Sequence, residues 1–272
     1  MLNWVGENPK KPSKKATKRS VFGYINSSNY FYSPTQQIME QHLWQTFFQG
    51  QESLTTVDAL AHTLLHQNKA LEEEAYWELW NWLQTQQILT GTAQTLEEIL
   101  PPLLSCQQLS LSDRALQDLP NTIGLLWGLQ HLDLSHNQLQ YLPISIGQLP
   151  LLQTLHIQNN QLHNLPESIG QILPLQQLDA SDNQLEELPD SFAWLQQLTH
   201  LNLSNNQLTA IPPDIAWLSQ LQQLNLSKNN ITQLPPSIAS WASSTLVDLR
   251  NNPLTTNTQK QLANNSPLEV LF

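Results

Sequence analysis

Leucines recur at a fixed spacing along the second half of the chain. From residue 129 the sequence repeats every 23 residues, and the clearest copies open at Leu129, Leu152, Leu175, Leu198 and Leu221. Apolar and polar residues alternate within each copy, as in Leu132, Asp133 and Leu134. This alternation predicts short parallel strands whose leucines point inward. A weaker copy starts at Cys106 and a truncated one replaces the opening leucine by Ser244, so that seven rungs are expected.

Asparagine occupies one slot just past each predicted strand. A side-chain amide carries two donors and an acceptor, so a stacked column of amides can satisfy the backbone groups of the turns it crosses. In the first rung Arg114 stands in this slot, where its side chain is expected to reach solvent. We define the asparagine ladder as Asn137, Asn160, Asn183, Asn206, Asn229 and Asn252.

A proline follows each of these turns. Because proline lacks an N–H and fixes φ, it excludes a central strand and suits the start of a short helical return. The prolines are Pro120, Pro143, Pro166, Pro189, Pro212 and Pro235, and the residues expected to fill the interior from this side are Ile146, Ile169, Phe192, Ile215 and Ile238. Trp194 and Trp217 share a slot in consecutive rungs and are expected to stack on this convex layer.

Together these slots resemble the leucine-rich repeat motif in its 23-residue form, with the pattern LPxxIxxL. The resemblance covers residues 106–254 and is to the type found in bacterial repeat proteins and in intracellular proteins that bind Ras-like GTPases. It implies an α/β solenoid with short parallel strands on the concave face and short helical turns on the convex face. The motif is specific for fold but says little about function.

Residues 33–105 are predicted to form a helical N-terminal cap over the first rung, since terminal repeats need a closing unit. Helices are expected from Ser33 to about residue 49, from Thr55, over about residues 68–83, and from Thr95 to the pair Pro101–Pro102. The third helix is apolar almost all round. It is either buried or an aromatic docking face, and burial is favoured. Its apolar side chains are Tyr76, Trp77, Leu79, Trp80, Trp82 and Leu83.

Residues 255–272 are predicted to form a C-terminal cap. Residues 257–263 have the pattern of a short helix, and residues 267–272 that of a last apolar strand. Residues 268–272 also spell most of a viral 3C-protease cleavage site used in expression vectors. The sequence leaves a native cap and a protease-site scar both open, with the native cap favoured.

Charge is unevenly distributed along the chain. The first twenty residues carry six basic side chains and one acidic, whereas the remainder carries five basic and 21 acidic. Residues 1–32 are therefore expected to be a basic, disordered tail, and the acidic body argues against nucleic acid as a partner. No apolar run approaches the length of a membrane span, and no apolar segment follows the basic N-terminus as in a secretory signal. A cytoplasmic protein is expected, or one secreted by another route.

The sequence matches the residue patterns of known catalytic sites only weakly. His62 and His66 have the spacing of a zinc pair on a helix, but the glutamate of HExxH is missing between them. The sequence contains no phosphate-binding GxxxxGK[ST] loop and no GxSxG. Cys106 is the only cysteine and falls in a leucine slot, where a small buried hydrophobic residue is expected. We therefore expect no enzymatic activity, no metal and no cofactor.

The outward-facing strand positions are the remaining candidates for function. Adjacent parallel strands lie about 4.8 Å apart, so these side chains should be mutual neighbours. Three interpretations compete: a solvated polar face, a protein-recognition patch whose histidines change charge near neutral pH, and a metal or catalytic site. The recognition patch is favoured. Its candidate partner-binding residues are His131, Asp133, His156, Asp179, His200, Asn202 and Asn225.

The sequence thus predicts a non-enzymatic module that binds another protein through its concave face, as a monomer and scaffold. The glutamine-rich style of the repeats favours a bacterial source. One alternative is a secreted bacterial effector or recognition subunit that recruits a target to a separate enzyme. A further alternative is a structural adhesin.

Overall fold

The strands of the solenoid form one continuous parallel sheet. A computed structural model describes residues 71–237, 245–265 and 269–271. The basic tail, the helices expected from Ser33 and Thr55, the pair His62 and His66, and Ile238 lie outside these described residues. The strands are β1 (Gln108–Ser110), β2 (His131–Asp133), β3 (Thr154–His156), β4 (Gln177–Asp179), β5 (His200–Asn202), β6 (Gln223–Asn225), β7 (Leu246–Asp248) and β8 (Glu269–Leu271).

Each strand pairs with the next in sequence order, and every register step is 23 residues. Leu132 pairs with Leu155, and Leu155 with Leu178, so the central leucines of neighbouring strands stack. These side chains are almost fully buried. The parallel strands predicted from the alternation of leucines are confirmed.

Short 3₁₀ helices form the opposite, convex layer. In the five 3₁₀ helices that lie wholly within the described residues, the residue before the first helical position is the repeated proline, with φ between −67° and −64°. Ile146, Ile169 and Phe192 point from this layer into the core and are fully buried. Trp194 and Trp217, by contrast, are 45% and 56% exposed. The 3₁₀ helices are Asn121–Leu125, Ile144–Gln148, Glu167–Gln171, Asp190–Trp194 and Pro213–Trp217.

Two helices precede the sheet in the described part of the chain, α1 (Leu71–Thr85) and α2 (Leu96–Leu104). Leu79 of α1 and Leu103 of α2 belong to the same hydrophobic cluster as the leucines of the rungs. The approach is close enough that a Cβ on Gly128 would overlap the carbonyl oxygen of Leu104. The core of the solenoid therefore continues into these helices.

The expected end of α2 at Pro101–Pro102 is wrong. Both prolines lie inside the helix, which ends at Leu104. A proline inside a helix removes one backbone hydrogen bond, but Leu100, Leu103 and Leu104 on the same helix are buried. Burial of an apolar face contributes about 1.5–3 kcal/mol per large side chain, enough to offset the lost bonds.

The C-terminal segment continues the solenoid. Helix α3 (Thr256–Asn265) takes the place of a 3₁₀ return, and β8 pairs with β7 in the same parallel register as the strands before it. No helix in the described part of the chain is long and apolar enough to cross a membrane.

Candidate functional site

The asparagine ladder connects consecutive rungs through buried amides. Asn183 is typical: its Oδ1 accepts a hydrogen bond from the N–H of Leu162 at 3.0 Å. Its Nδ2 donates to the carbonyl of Ile157 at 2.9 Å and to that of Ala180 at 3.2 Å. Leu162 and Ile157 belong to the preceding rung, and the amide is buried. Asn160, Asn206, Asn229 and Asn252 make the corresponding contacts.

The residue before each ladder asparagine turns the chain out of the strand. It adopts a left-handed conformation with φ between 53° and 60°. Asn and Asp tolerate this conformation better than other non-glycine residues, and they fill most of these slots. The residues are His136, Asn159, Asp182, Asn205, Lys228 and Asn251.

The concave face of the sheet consists of two columns fixed by the strand register. The outer column is Ser110, Asp133, His156, Asp179, Asn202, Asn225, Asp248 and Leu271. The inner column is Gln108, His131, Thr154, Gln177, His200, Gln223, Leu246 and Glu269. The seven candidate residues from the sequence all lie in these two columns, and Asp133, His156 and Asp179 occupy adjacent strands.

The acidic and amide side chains of the outer column are tied to their own rung. Asp179 Oδ1 accepts hydrogen bonds from the backbone N–H of Ser181 at 3.0 Å and from its hydroxyl at 2.6 Å. Asp133, Asn202 and Asn225 hold the serine two residues later in the same way. Sequence reasoning missed this role, although the recurring pattern Asp/Asn-x-Ser is visible in the sequence.

The third rung departs from this pattern. His156 replaces the Asp or Asn, and Gln158 replaces the serine. Gln158 Oε1 is buried without a hydrogen-bond partner. At His156 the outer column therefore lacks the hydrogen bonds to a serine two residues later. His156 lies between the carboxylates of Asp133 and Asp179.

At the C-terminal end of the outer column, Asp248 forms an ion pair with Arg250, with Nη2 and Oδ2 2.6 Å apart. Asp248 is 8% exposed. Hydrogen bonds from Arg250 hold the pKa of the Asp248 carboxyl below its ordinary value, against the opposing effect of burial. Here an arginine takes the place of the serine found in most of the other rungs.

A groove of about 410 Å³ lies on the concave face between β3 and β8. Five of the seven candidate residues line it: His156, Asp179, His200, Asn202 and Asn225. His131 and Asp133, on β2, are not among its lining residues. The lining residues that were not selected from the sequence include Leu246, Arg250 and Leu271. They lie at the C-terminal end, where the face becomes partly apolar.

The chemistry available on this face is hydrogen bonding and charge. Within the described residues, no group of three or more His, Cys, Asp or Glu side chains could hold a metal ion. Cys106 is half-buried, and burial raises the pKa of its thiol. A thiol that stays protonated is a weak nucleophile.

Two family models match the solenoid. One described as "Leucine Rich repeats (2 copies)" matches residues 127–170 and 196–240, and one described as "Leucine rich repeat" matches residues 150–208. No curated protein sequence matches the chain.

Similar solved structures include a leucine-rich repeat protein of Leptospira interrogans, with 28% identity, a TM-score of 0.46 and coverage of 67% of this chain and 58% of the other. The plant peptide hormone receptor RGFR1 in complex with RGF2 has 30% identity, a TM-score of 0.49 and coverage of 54% and 24%. The ectodomain of the membrane receptor kinase GASSHO1/SCHENGEN3 of Arabidopsis thaliana, in complex with CASPARIAN STRIP INTEGRITY FACTOR 2, has 32% identity, a TM-score of 0.52 and coverage of 58% and 20%. The chain thus spans less than two thirds of each of these proteins.

Proposed function

Because this chain is a leucine-rich repeat protein, we propose that it is a non-enzymatic module that binds a partner protein through the concave face of its solenoid. The observation that carries the proposal is the groove, which is lined by half-exposed polar side chains from four consecutive strands, β3 to β6. These side chains sit on a rigid sheet above a continuous leucine core. Binding sites built on rigid elements lose little order when a partner docks.

The hydrogen bonds within each rung support the same conclusion. Asp179, Asn202 and Asn225 are already held in one orientation by the following serines. Immobilising a free polar side chain costs about 0.5–1.5 kcal/mol at an interface. Side chains that are fixed before binding avoid most of that cost.

The aromatic helix α1 is a weaker candidate for the binding face. Tyr76 and Trp80 are 4% and 7% exposed, and Leu79 is fully buried. Trp77 and Trp82 pack against the same core cluster. The apolar side chains of α1 therefore contribute to the hydrophobic core, and little of their surface remains for a partner.

The similar Arabidopsis receptor ectodomain carries a bound partner in its structure. We extend to this chain only the general role of partner binding.

The test is a bulky substitution at a residue that lines the groove. Gln177 is exposed in the inner column and lines the groove. Pull-down with the intact chain, followed by mass spectrometry, first identifies the natural partners, and binding of each partner is then measured with the Gln177→Trp variant. We expect a loss of affinity of about tenfold or more, as for a central interface position, with an unchanged melting temperature.

The matched control is Gln197→Trp, since Gln197 is equally exposed but lies outside the concave strands. It should bind each partner as the wild type does. If Gln177→Trp binds normally, or if both variants lose binding equally, the concave face is not the binding site.

A further inference from the structure

The strand positions of the concave face carry negative charge, and Arg250, a basic residue that lines the groove, lies just past β7. None of the strand positions in its two columns is Lys or Arg, whereas Asp133, Asp179, Asp248 and Glu269 are acidic. The charge of Asp248 is compensated by Arg250. Asp133 and Asp179 form no ion pair with any described residue, so they carry uncompensated negative charge.

These two carboxylates are oriented in the same way. Each presents Oδ1 to the serine two residues later, and Oδ1 of Asp133 accepts both of the bonds that this serine donates. Oδ2 of Asp133 accepts no hydrogen bond from the described residues, and Oδ2 of Asp179 accepts one, from Asn202 Nδ2 at 3.1 Å. Each carboxylate thus keeps an oxygen with unused acceptor capacity while its orientation is fixed.

The spacing of the two carboxylates fits an extended chain. Asp133 and Asp179 lie two strands apart, on either side of His156. Two inter-strand steps of about 4.8 Å give about 10 Å, which is the length of about three residues of extended or polyproline-like chain. His156 has no serine two residues later with which to form hydrogen bonds. The space between the two carboxylates is therefore lined by a side chain that is not fixed by bonds within its own rung.

We infer that the occupant of the concave face is an extended, basic segment of the partner protein, whose Lys or Arg side chains pair with Asp133 and Asp179. This inference rests on the proposed function and adds the chemistry of the partner. Charge complementarity supports it: an acidic face steers a basic segment toward it and repels an acidic one.

The experiment uses the intact chain and two labelled synthetic peptides of Gly and Ser, one carrying four Arg and the other four Glu in the same places. Binding is measured by fluorescence anisotropy at low and at physiological ionic strength. The Arg peptide should bind, more tightly at low salt, and the Glu peptide should not. Absence of binding by the Arg peptide would overturn the inference.

The variant Asp133→Asn with Asp179→Asn removes both charges but keeps the bonds to serine, because Asn202 and Asn225 already make those bonds in neighbouring rungs. Its affinity for the Arg peptide should fall about tenfold, as expected for the loss of two partly exposed ion pairs. The charge-matched control is Asp190→Asn with Asp214→Asn, at exposed positions of the convex 3₁₀ helices. It should bind as the wild type does.

Equal weakening by both double variants would mean that the Arg peptide is attracted by the overall negative charge, and an unchanged affinity of the first variant would mean that these carboxylates do not bind it. Either result overturns the inference.

The Gln177→Trp variant separates the two proposals. If it blocks a natural partner while the Arg peptide fails to bind, the concave face binds proteins, but not by this charge pairing. If Gln177→Trp leaves natural partners bound, the proposed function itself fails.

Discussion

The asparagine ladder and the outer column are two lines of polar side chains that run the length of the solenoid a few residues apart. Both repeat with the same period, and both accept hydrogen bonds from backbone N–H groups. They differ in what they connect. Ladder amides reach backbone groups of the preceding rung, as Asn183 does with Leu162 and Ile157. Outer-column side chains bond mainly within their own rung, as Asp179 does with Ser181.

This difference distinguishes side chains that hold the rungs together from side chains that remain at the surface. A ladder amide is buried, and its bonding capacity is filled by neighbouring turns. Asp179, Asn202 and Asn225 of the outer column are half-exposed, with one oxygen bonded to the following serine and the side chain lining the groove. A polar repeat whose bonds cross rungs holds the fold together, whereas one whose bonds stay local leaves polar atoms exposed on the concave face.

The largest effect is expected at the ladder. Asn183→Ala leaves the N–H of Leu162 without its buried acceptor and removes one of the two amide donors to the carbonyl of Ile157. It should cost about 1–3 kcal/mol of unfolding free energy, measured by chemical denaturation. The comparison variant is Asn202→Ala, which removes an asparagine of the outer column at a half-exposed site. A loss for Asn202→Ala as large as that for Asn183→Ala would break the distinction between the two columns.

Arg114 occupies the asparagine slot of the first rung and extends the same comparison to the end of the ladder. Its side chain does not simply extend into solvent: its guanidinium donates a hydrogen bond to the carbonyl of Gln86, just past the end of α1. Cations near a helix C-terminus are stabilising. Arg114→Ala should therefore cost about 1 kcal/mol, because an exposed bond to a charged group is lost.

Thermal and urea denaturation of Arg114→Ala beside Asn183→Ala test the ranking. The Arg114 variant should be the more stable of the two. The reverse order would show that the first rung depends on this slot as strongly as the central rungs do.

At Asp179 the hydrogen bonds to serine and the negative charge of an outer-column side chain can be tested separately. Asp179→Ala removes the acceptor for Ser181, a buried residue, and should cost about 0.5–1.5 kcal/mol. Asp179→Asn keeps an acceptor oxygen and should stay within about 0.5 kcal/mol of the wild type. If both variants unfold alike in urea, the bond to Ser181 contributes nothing to stability.

The smallest effect concerns pH. Because Arg250 lowers the pKa of Asp248 in the folded protein, the ionised carboxylate adds stability above its unfolded pKa. That contribution is lost as the pH falls through the folded value. Arg250→Ala should therefore flatten the decline of stability between about pH 5 and pH 2. The check is urea denaturation at several pH values, and a variant with the same slope as the wild type would contradict it.

The sequence predicts the solenoid well because the leucine slots allow one arrangement. A period of 23 residues with alternating leucines buries every leucine only if the strands pair in parallel and in register, as Leu132, Leu155 and Leu178 do. The prolines likewise mark the start of each return, because their φ and missing N–H exclude a strand there.

The sequence predicts which residues lie on the concave face, but it does not predict which hydrogen bonds their side chains form. Outward alternation identifies the positions of Asp133 and Asp179, yet a strand pattern does not tell which outward side chains bond to their own turn. The groove lies toward the C-terminal strands, and its position depends on the shape of the whole face. The continuation of α2 through Pro101 and Pro102 depends on burial of the neighbouring leucines, which local propensity does not describe.

The short reach of the ladder has a consequence for how such a chain changes length. Asn183 contacts backbone groups of its own rung and the one before it, and the strand register repeats without drift from Gln108 to Glu269. Losing or duplicating one whole 23-residue unit in frame would leave every remaining turn beside a neighbour of the same kind. Insertions of any other length would break the alignment. The gene of such a protein can therefore lengthen or shorten its concave face in steps of one rung.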